Sequence, residues 1–241
     1  MSDHKSLPAW REQSLGRRTF LRVSAASAAT AALVVSGCAD ITPTTPTPAN
    51  PNLLTLPAGN QGLFIYAYML ALAQAAVYQK VVDAPPSDLT VAERAIFADL
   101  RDHEVVHRQT IKYFLDPTLA TTPFPADFAF NTAKFTLSTR AGVLAAAQEL
   151  EDLTAAAYPV LLTLFTSAGV SQRDILLKMA SVQYRHAATV RNLLAPGSFA
   201  SSTAVDATGQ LLTKTPTEVM AALAPYFMPY VISVTNLPVP V

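Results

Sequence analysis

Residues 102–107 read DHEVVH and residues 183–186 read QYRH, so each segment places a polar residue and a histidine three positions apart. In an α-helix, residues three apart lie on the same face and can point at one spot. Gln74 precedes the first segment, and Glu151 the second, by nearly the same number of residues. In a helical hairpin, the second helix runs back alongside the first and reaches the same level after a fixed number of residues. Two hairpins of similar length would therefore bring Gln74 level with the first segment and Glu151 level with the second. The spacing therefore predicts one layer that contains Gln74, Glu104, His107, Glu151, Gln183 and His186.

Four long helices are predicted around this layer. Apolar runs and breaker residues place them at 63–82, 91–115, 139–167 and 171–194. Thr90 and Glu93 form a capping-box pattern at the start of the second helix. Thr215, Pro216 and Glu218 form a similar pattern, which predicts a short fifth helix that extends to about residue 226. Because no alternating strand pattern of useful length is found, the predicted class is all-α.

The connection between the second and third helices is unusually long. Residues 117–138 are rich in Thr, Pro and Phe. We expect Phe124, Phe128, Phe130 and Phe135 to pack on the bundle and order part of this connection. A long crossover at this point distinguishes the predicted bundle from an up-and-down bundle with short loops.

The first helix also has an alternative interpretation. Residues 63–82 are apolar almost without charge, as in a transmembrane span. The uninterrupted apolar stretch is slightly too short for a span and contains Gln74, which favours a helix buried in the bundle.

The N-terminus is predicted to be an export signal. Arg17 and Arg18 precede an apolar run that ends at Val35-Ser36-Gly37-Cys38, a pattern that resembles a twin-arginine signal followed by a lipobox. Residues 1–37 would then be a signal peptide, and Cys38 would carry lipid. The alternative is that Cys38 is a small buried residue in an uncleaved helix.

These patterns predict four parts of the chain. The signal peptide of residues 1–37 is followed by a Thr- and Pro-rich tether at 38–57, a four-helix bundle at 58–196 and a C-terminal extension at 197–241. The expected location is the periplasmic face of a bacterial membrane, in the cell envelope, with the protein attached through lipid on Cys38. A homo-oligomer is compatible with the sequence.

Composition excludes one class of partner. The 241 residues have a net charge of zero, 51% are hydrophobic and 14% are charged. Nucleic-acid binding needs clustered positive charge to neutralise phosphates, so we expect no nucleic-acid partner. The single cysteine excludes an internal disulfide.

The polar layer resembles the di-metal sites of helical bundles, in which two helices supply a Glu each and two supply Glu-x-x-His. At these residues the chain resembles the ferritin-like superfamily, and more closely the bacterial ferritin-like proteins once called desiccation-related. The resemblance spans roughly residues 55–230 and includes DHEVVH at 102–107, ELED at 149–152 and YRHAA at 184–188. It implies a ferritin-like four-helix bundle with the long crossover and, at best, a metal site.

The chain departs from the family pattern in the first and fourth helices. Gln74 and Gln183 stand where that pattern has Glu. Four carboxylates would balance two divalent cations, whereas Glu104 and Glu151 alone balance one. A neutral amide oxygen is a poorer ligand for a hard cation. We therefore expect one iron, manganese or zinc ion, at low occupancy or absent, with Glu104, Glu151, His186 and His107 as candidate ligands.

Other interpretations of these residues stay open at this point. The histidines could be core residues, and Glu104 and Glu151 could be buried partners of Arg185 or Arg101. Tyr78 and Tyr158 fall on the ligand faces, where core packing is the simpler role. His103, one residue away from the direction of Glu104, is expected at the surface.

Three functions are compatible with this site. The first is a metal-binding envelope protein with a role in stress or metal handling, and the second is a metal-free structural protein of the envelope. The third, which the two glutamines disfavour, is a di-iron oxidase or peroxidase. No Ser-His-Asp order, Gly-rich phosphate loop or Cys-x-x-Cys motif indicates another reaction, so no catalytic residue is assigned.

The lipobox interpretation predicts that Cys38→Ala leaves the protein unprocessed or releases it from membranes. A diacyl group together with an N-terminal acyl chain suffices for stable membrane attachment. Membrane fractionation and the mass of the mature chain measure this outcome. A variant that stays with membranes at an unchanged mature size would contradict the prediction.

Overall fold

The computed structural model describes residues 50–118, 123–202 and 204–240. The predicted signal peptide, Cys38 and most of the predicted tether lie outside these residues. The long helices are α1 (Gly59–Asp83), α2 (Val91–Leu115), α3 (Arg140–Thr163) and α4 (Val170–Leu194). A short helix, α5 (Pro216–Leu223), follows, and the strands β1 (Leu53–Thr55) and β2 (Val231–Ser233) flank the helical part. The all-α prediction is confirmed, since the strands have three residues each.

The four long helices form a bundle of two hairpins. Helix α1 packs along α2, and α3 packs along α4. The hairpins meet through contacts of α1 with α3 and of α2 with α4. Each polar layer residue therefore lies on a helix that touches two others, so its side chain can be surrounded by protein.

Helix α1 supplies much of the core. By length and composition it could cross a membrane, but 83% of its most apolar window is buried inside the fold. Large side chains such as Phe64, Tyr66 and Met69 are almost fully buried. Since neighbouring helices cover this surface, α1 has the environment of the core helix of a bundle.

Two boundaries of the long helices differ from the prediction by more than one residue. Helix α1 begins at Gly59 instead of residue 63, because its first turn is polar and precedes the apolar run. Helix α3 ends at Thr163 instead of residue 167, where the Thr163 hydroxyl donates to the carbonyl of Val160 at 2.7 Å. A short 3-10 helix, Ser167–Gly169, then leads into α4. Pro159 lies inside α3, and the helix continues for about one turn beyond it.

The helix starts follow the capping signals of the sequence. Both predicted capping boxes are confirmed, one formed by Thr90 with Glu93 and the other by Thr215 with Glu218. A further 3-10 helix, Ala224–Tyr226, follows α5 and occupies the end of the predicted fifth helix.

The crossover packs through its aromatic residues, as predicted. The rings of Phe124 and Phe128 stack with their centroids 4.2 Å apart, and the ring of Phe128 stacks on that of Phe227 with a centroid distance of 5.2 Å. Phe130 and Phe135 both stack on Tyr226. The crossover therefore packs against the segment that follows α5. Next to this segment, β2 pairs with β1 in parallel, in the register Leu53 to Val231.

One ion pair joins the beginnings of α2 and α3. Glu93 Oε1 lies 2.7 Å from Arg140 Nε and 2.6 Å from Nη2, and Glu93 Oε2 accepts from the backbone and hydroxyl of Thr90. Arg140 Nη2 also donates to the carbonyl of Leu193 near the end of α4. The hydrogen bond from Arg140, assisted by those from Thr90, lowers the pKa of Glu93 from 4.5 to about 2 against the opposing effect of burial.

This lowered pKa sets the pH range in which Glu93 stabilises the fold. The contribution of Glu93 to the free energy of unfolding is fully present above the pKa of about 4.5 that this residue has in the unfolded chain. It is lost as the pH falls through about 2, the pKa in the folded protein. We predict that Glu93→Gln lowers the thermal midpoint at a pH of about 6, and that the difference from the unmodified protein shrinks toward a pH of about 2. Circular dichroism melts across this range measure it.

The control is Asp99→Asn, which neutralises an exposed carboxylate on the same helix. A constant difference between the Glu93→Gln and unmodified profiles at every pH would contradict this role of the ion pair.

Candidate metal centre

The fold brings all six side chains of the predicted layer into one buried cluster. Gln74 lies on α1 and Glu151 lies on α3. Helix α2 supplies Glu104 and His107, and helix α4 supplies Gln183 and His186. The exposed fraction of each residue is between 0% and 7%: Gln74, Glu104 and Glu151 0%, Gln183 1%, His186 5% and His107 7%. Such burial of two carboxyl groups is costly unless protein groups or a cation compensate for the lost water.

Three of these residues converge most closely. Glu104, Glu151 and His186 each offer one ligand atom, and these atoms all lie within 4.8 Å of one another. The Nδ1 atom of His186 lies 3.2 Å from Glu104 Oε1 and 3.7 Å from Glu151 Oε1. This buried Glu/Glu/His group could hold a metal ion, because carboxylates and imidazole are common metal ligands in proteins.

The other three residues are connected by hydrogen bonds. Gln74 Nε2 donates to Gln183 Oε1 at 2.9 Å, and Gln183 Nε2 donates to Glu104 Oε1 at 2.7 Å. The Nδ1 atom of His107 lies 3.2 Å from Gln183 Nε2 and 3.3 Å from Glu104 Oε2. The two amides thus form a chain of hydrogen bonds that ends on the carboxylate shared with the Glu/Glu/His group.

The two glutamates differ in acidity. Burial and the negative charge of Glu104 raise the pKa of Glu151 well above its usual value. Burial also acts to raise the pKa of Glu104, but His107 and His186 outweigh it and keep this pKa below the usual value. Two carboxyl groups so close in a low-dielectric core do not ionise equally, and the one with the nearer imidazoles keeps the charge.

Tyrosines complete the surroundings of the site. The Tyr78 hydroxyl donates a hydrogen bond to Glu151 Oε1 at 2.5 Å, and burial together with Glu151 raises the pKa of Tyr78 well above its usual value. Tyr158 is also fully buried, and its pKa is raised by burial and the neighbouring glutamates. Both tyrosines are core residues, as expected, but the hydrogen bond of Tyr78 to Glu151 was not predicted. The sequence feature that could have indicated this hydrogen bond is the position of Tyr78, one helical turn after Gln74 on the face of α1 that points into the layer.

The arginine partners considered from sequence are placed elsewhere. Arg101 contacts Asp102 and Gln79, and Arg185 is exposed. His103 is exposed, as expected, but its Nδ1 atom lies 2.9 Å from Nε2 of His186. Sequence spacing alone did not indicate this contact, because His103 and Glu104 point about 100° apart around α2.

Comparison with known proteins agrees with the fold. The Ferritin-like domain family matches residues 60–196, which is more than half of the chain and includes almost all of the four long helices. The chain therefore belongs to this family. The predicted ferritin-like bundle with its long crossover is confirmed. No curated protein matches the chain.

Proposed function

We propose that this protein binds one divalent metal ion through Glu104, Glu151 and His186. The supporting observation is the convergence of two carboxylates and one imidazole in a buried layer of the bundle. Iron, manganese and zinc are all compatible with this ligand set. When bound, the ion would supply Lewis acidity or, for iron and manganese, one-electron chemistry.

The polar atoms of the three residues fit such an ion. Glu151 Oε2 and His186 Nδ1 are buried, and within the described part of the chain neither has a hydrogen-bond partner. A buried polar atom without a partner costs roughly 1–3 kcal/mol. A cation bound between these atoms would remove this cost for both of them.

The remainder of the layer does not fit a second ion. Gln183 Nε2 donates to Glu104 Oε1, so this side of the carboxylate faces an N–H group where a second ion would need an acceptor. The buried Oε1 atom of Gln74 has no hydrogen-bond partner among the described residues, but as a neutral amide oxygen it is a poorer ligand than a carboxylate. The two carboxylates carry at most a charge of −2, which one divalent ion balances. This charge count disfavours a di-iron oxidase or peroxidase, which needs two closely spaced ions.

We further propose that the protein is exported and attached to the cell envelope by lipid on Cys38, where it takes part in metal handling or stress protection. The twin-arginine and lipobox patterns support this location. A metal-free structural role in the envelope is the second candidate, since the hydrogen bonds among Gln74, Gln183 and Glu104 stabilise the layer without an ion.

The proposal predicts a stoichiometry of one ion per chain. We expect Fe(II), Mn(II) or Zn(II) to bind once and to raise the thermal midpoint, because an ion that binds only the folded state stabilises it. Glu151→Gln should abolish binding, since one carboxylate then faces a doubly charged ion in a low-dielectric core. Calorimetry and thermal-shift titration measure both. Glu149→Gln, which changes an exposed carboxylate on the same helix, is the control and should bind as before.

A double variant tests why the site holds one ion. Replacing Gln74 and Gln183 with Glu should destabilise the metal-free bundle by crowding four carboxylates, and should raise the capacity to two ions. Absence of binding and of any thermal shift in the unmodified protein would reject the metal site and leave the structural role.

A further inference from the structure

His103 connects the buried layer to the protein surface. It lies on α2 next to Glu104, and its own side chain is exposed. Its ring is nearly parallel to that of His186 on α4, with an interplanar angle of 5° and a centroid distance of 5.1 Å. Its Nδ1 atom is 2.9 Å from His186 Nε2, which is a hydrogen-bond distance.

The two ring nitrogens of His186 therefore have different environments. Nε2 faces His103, whereas Nδ1 faces Glu104 Oε1 at 3.2 Å and Glu151 Oε1 at 3.7 Å. Nδ1 is buried and close enough to Glu104 for His186 to lower the pKa of that carboxyl group, but neither of its carboxylate contacts has the geometry of a hydrogen bond. Glu104 Oε1 instead accepts from Gln183 Nε2 at 2.7 Å. A neutral imidazole binds a metal only through the nitrogen that lacks a proton.

We propose that His103 is a positioning residue that keeps the proton of His186 on Nε2. In this arrangement His186 Nε2 donates to Nδ1 of His103, and the lone pair of His186 Nδ1 points at the two carboxylates. His103 is not itself a ligand, because it contacts the nitrogen of His186 that lies away from Glu104 and Glu151. The proposal rests on the proposed function, since it explains how His186 is prepared to bind an ion.

The opposite arrangement has a distinct consequence. If His103 donated to Nε2 of His186, the proton of a neutral His186 would lie on Nδ1, where it would block an ion from that nitrogen. The hydrogen-bond partner of the remote ring nitrogen generally fixes the tautomer of a metal-binding histidine, and loss of that partner costs about 10- to 100-fold in metal affinity. The direction of one hydrogen bond thus affects how tightly the three-residue site can bind an ion.

Two variants separate the hydrogen bond from ring packing. His103→Asn keeps an acceptor, because the Asn side-chain oxygen can occupy nearly the position of Nδ1. His103→Phe keeps an aromatic ring against His186 but removes the acceptor. Since His103 is exposed, both variants should fold, which circular dichroism checks.

The first readout is the tautomer of His186 in the metal-free full-length chain, from long-range nitrogen-15 correlation spectra. We expect the Nε2–H tautomer in the unmodified protein and in His103→Asn, and a shift toward Nδ1–H in His103→Phe. The second readout is Zn(II) affinity by calorimetry. We expect it to be nearly unchanged in His103→Asn and about 10- to 100-fold weaker in His103→Phe.

The outcomes separate this inference from the proposed function. An Nδ1–H tautomer of His186 in the unmodified protein, or equal Zn(II) affinity of His103→Phe and the unmodified protein, would overturn the role of His103 while leaving the metal site. If the unmodified protein binds no Zn(II), the proposed function fails, and the tautomer measurement in the metal-free chain still decides whether His103 sets the proton on His186.

Discussion

The fully buried carboxylate of Glu104 is the constraint around which the polar layer is arranged. A charge at this depth requires compensation from groups on other helices. It receives a hydrogen bond from Gln183 on α4 and has His107 and His186 within 3.3 Å. Because these contacts join α2 to α4, they fix the relative depth of the two hairpins. The hairpins in turn place Glu151, from α3, beside Glu104.

The two glutamines give the layer an asymmetry that family membership alone does not imply. Gln74 and Gln183 join the hairpins through neutral hydrogen bonds, whereas Glu151 and His186 leave buried atoms without partners. One half of the layer therefore relies on neutral amide hydrogen bonds and leaves the neutral oxygen Gln74 Oε1 without a partner among the described residues. The other half leaves a carboxylate oxygen and an imidazole nitrogen without partners, and these atoms suit a cation. The proposed single ion follows from this asymmetry together with the charge of two carboxylates.

Much of the fold and the composition of the cluster could be predicted from sequence because each depends on local rules. Three-residue spacing puts Glu104 with His107 on one face, and the hairpin lengths bring Gln74 and Glu151 to the same depth. The capping boxes at Thr90 and Thr215 required only neighbouring residues. What could not be predicted depends on three-dimensional contacts: the direction of the Gln183 amide, the hydrogen bond of Tyr78, and the contact of His103 with α4.

The most direct test of the single-ion site is anomalous X-ray diffraction from crystals of the protein soaked with Mn(II). We predict one anomalous peak per chain, within about 2.5 Å of ligand atoms of Glu104, Glu151 and His186. Two peaks in the layer, or a peak beside His107 and Gln74 with none at the Glu/Glu/His group, would contradict the proposed site.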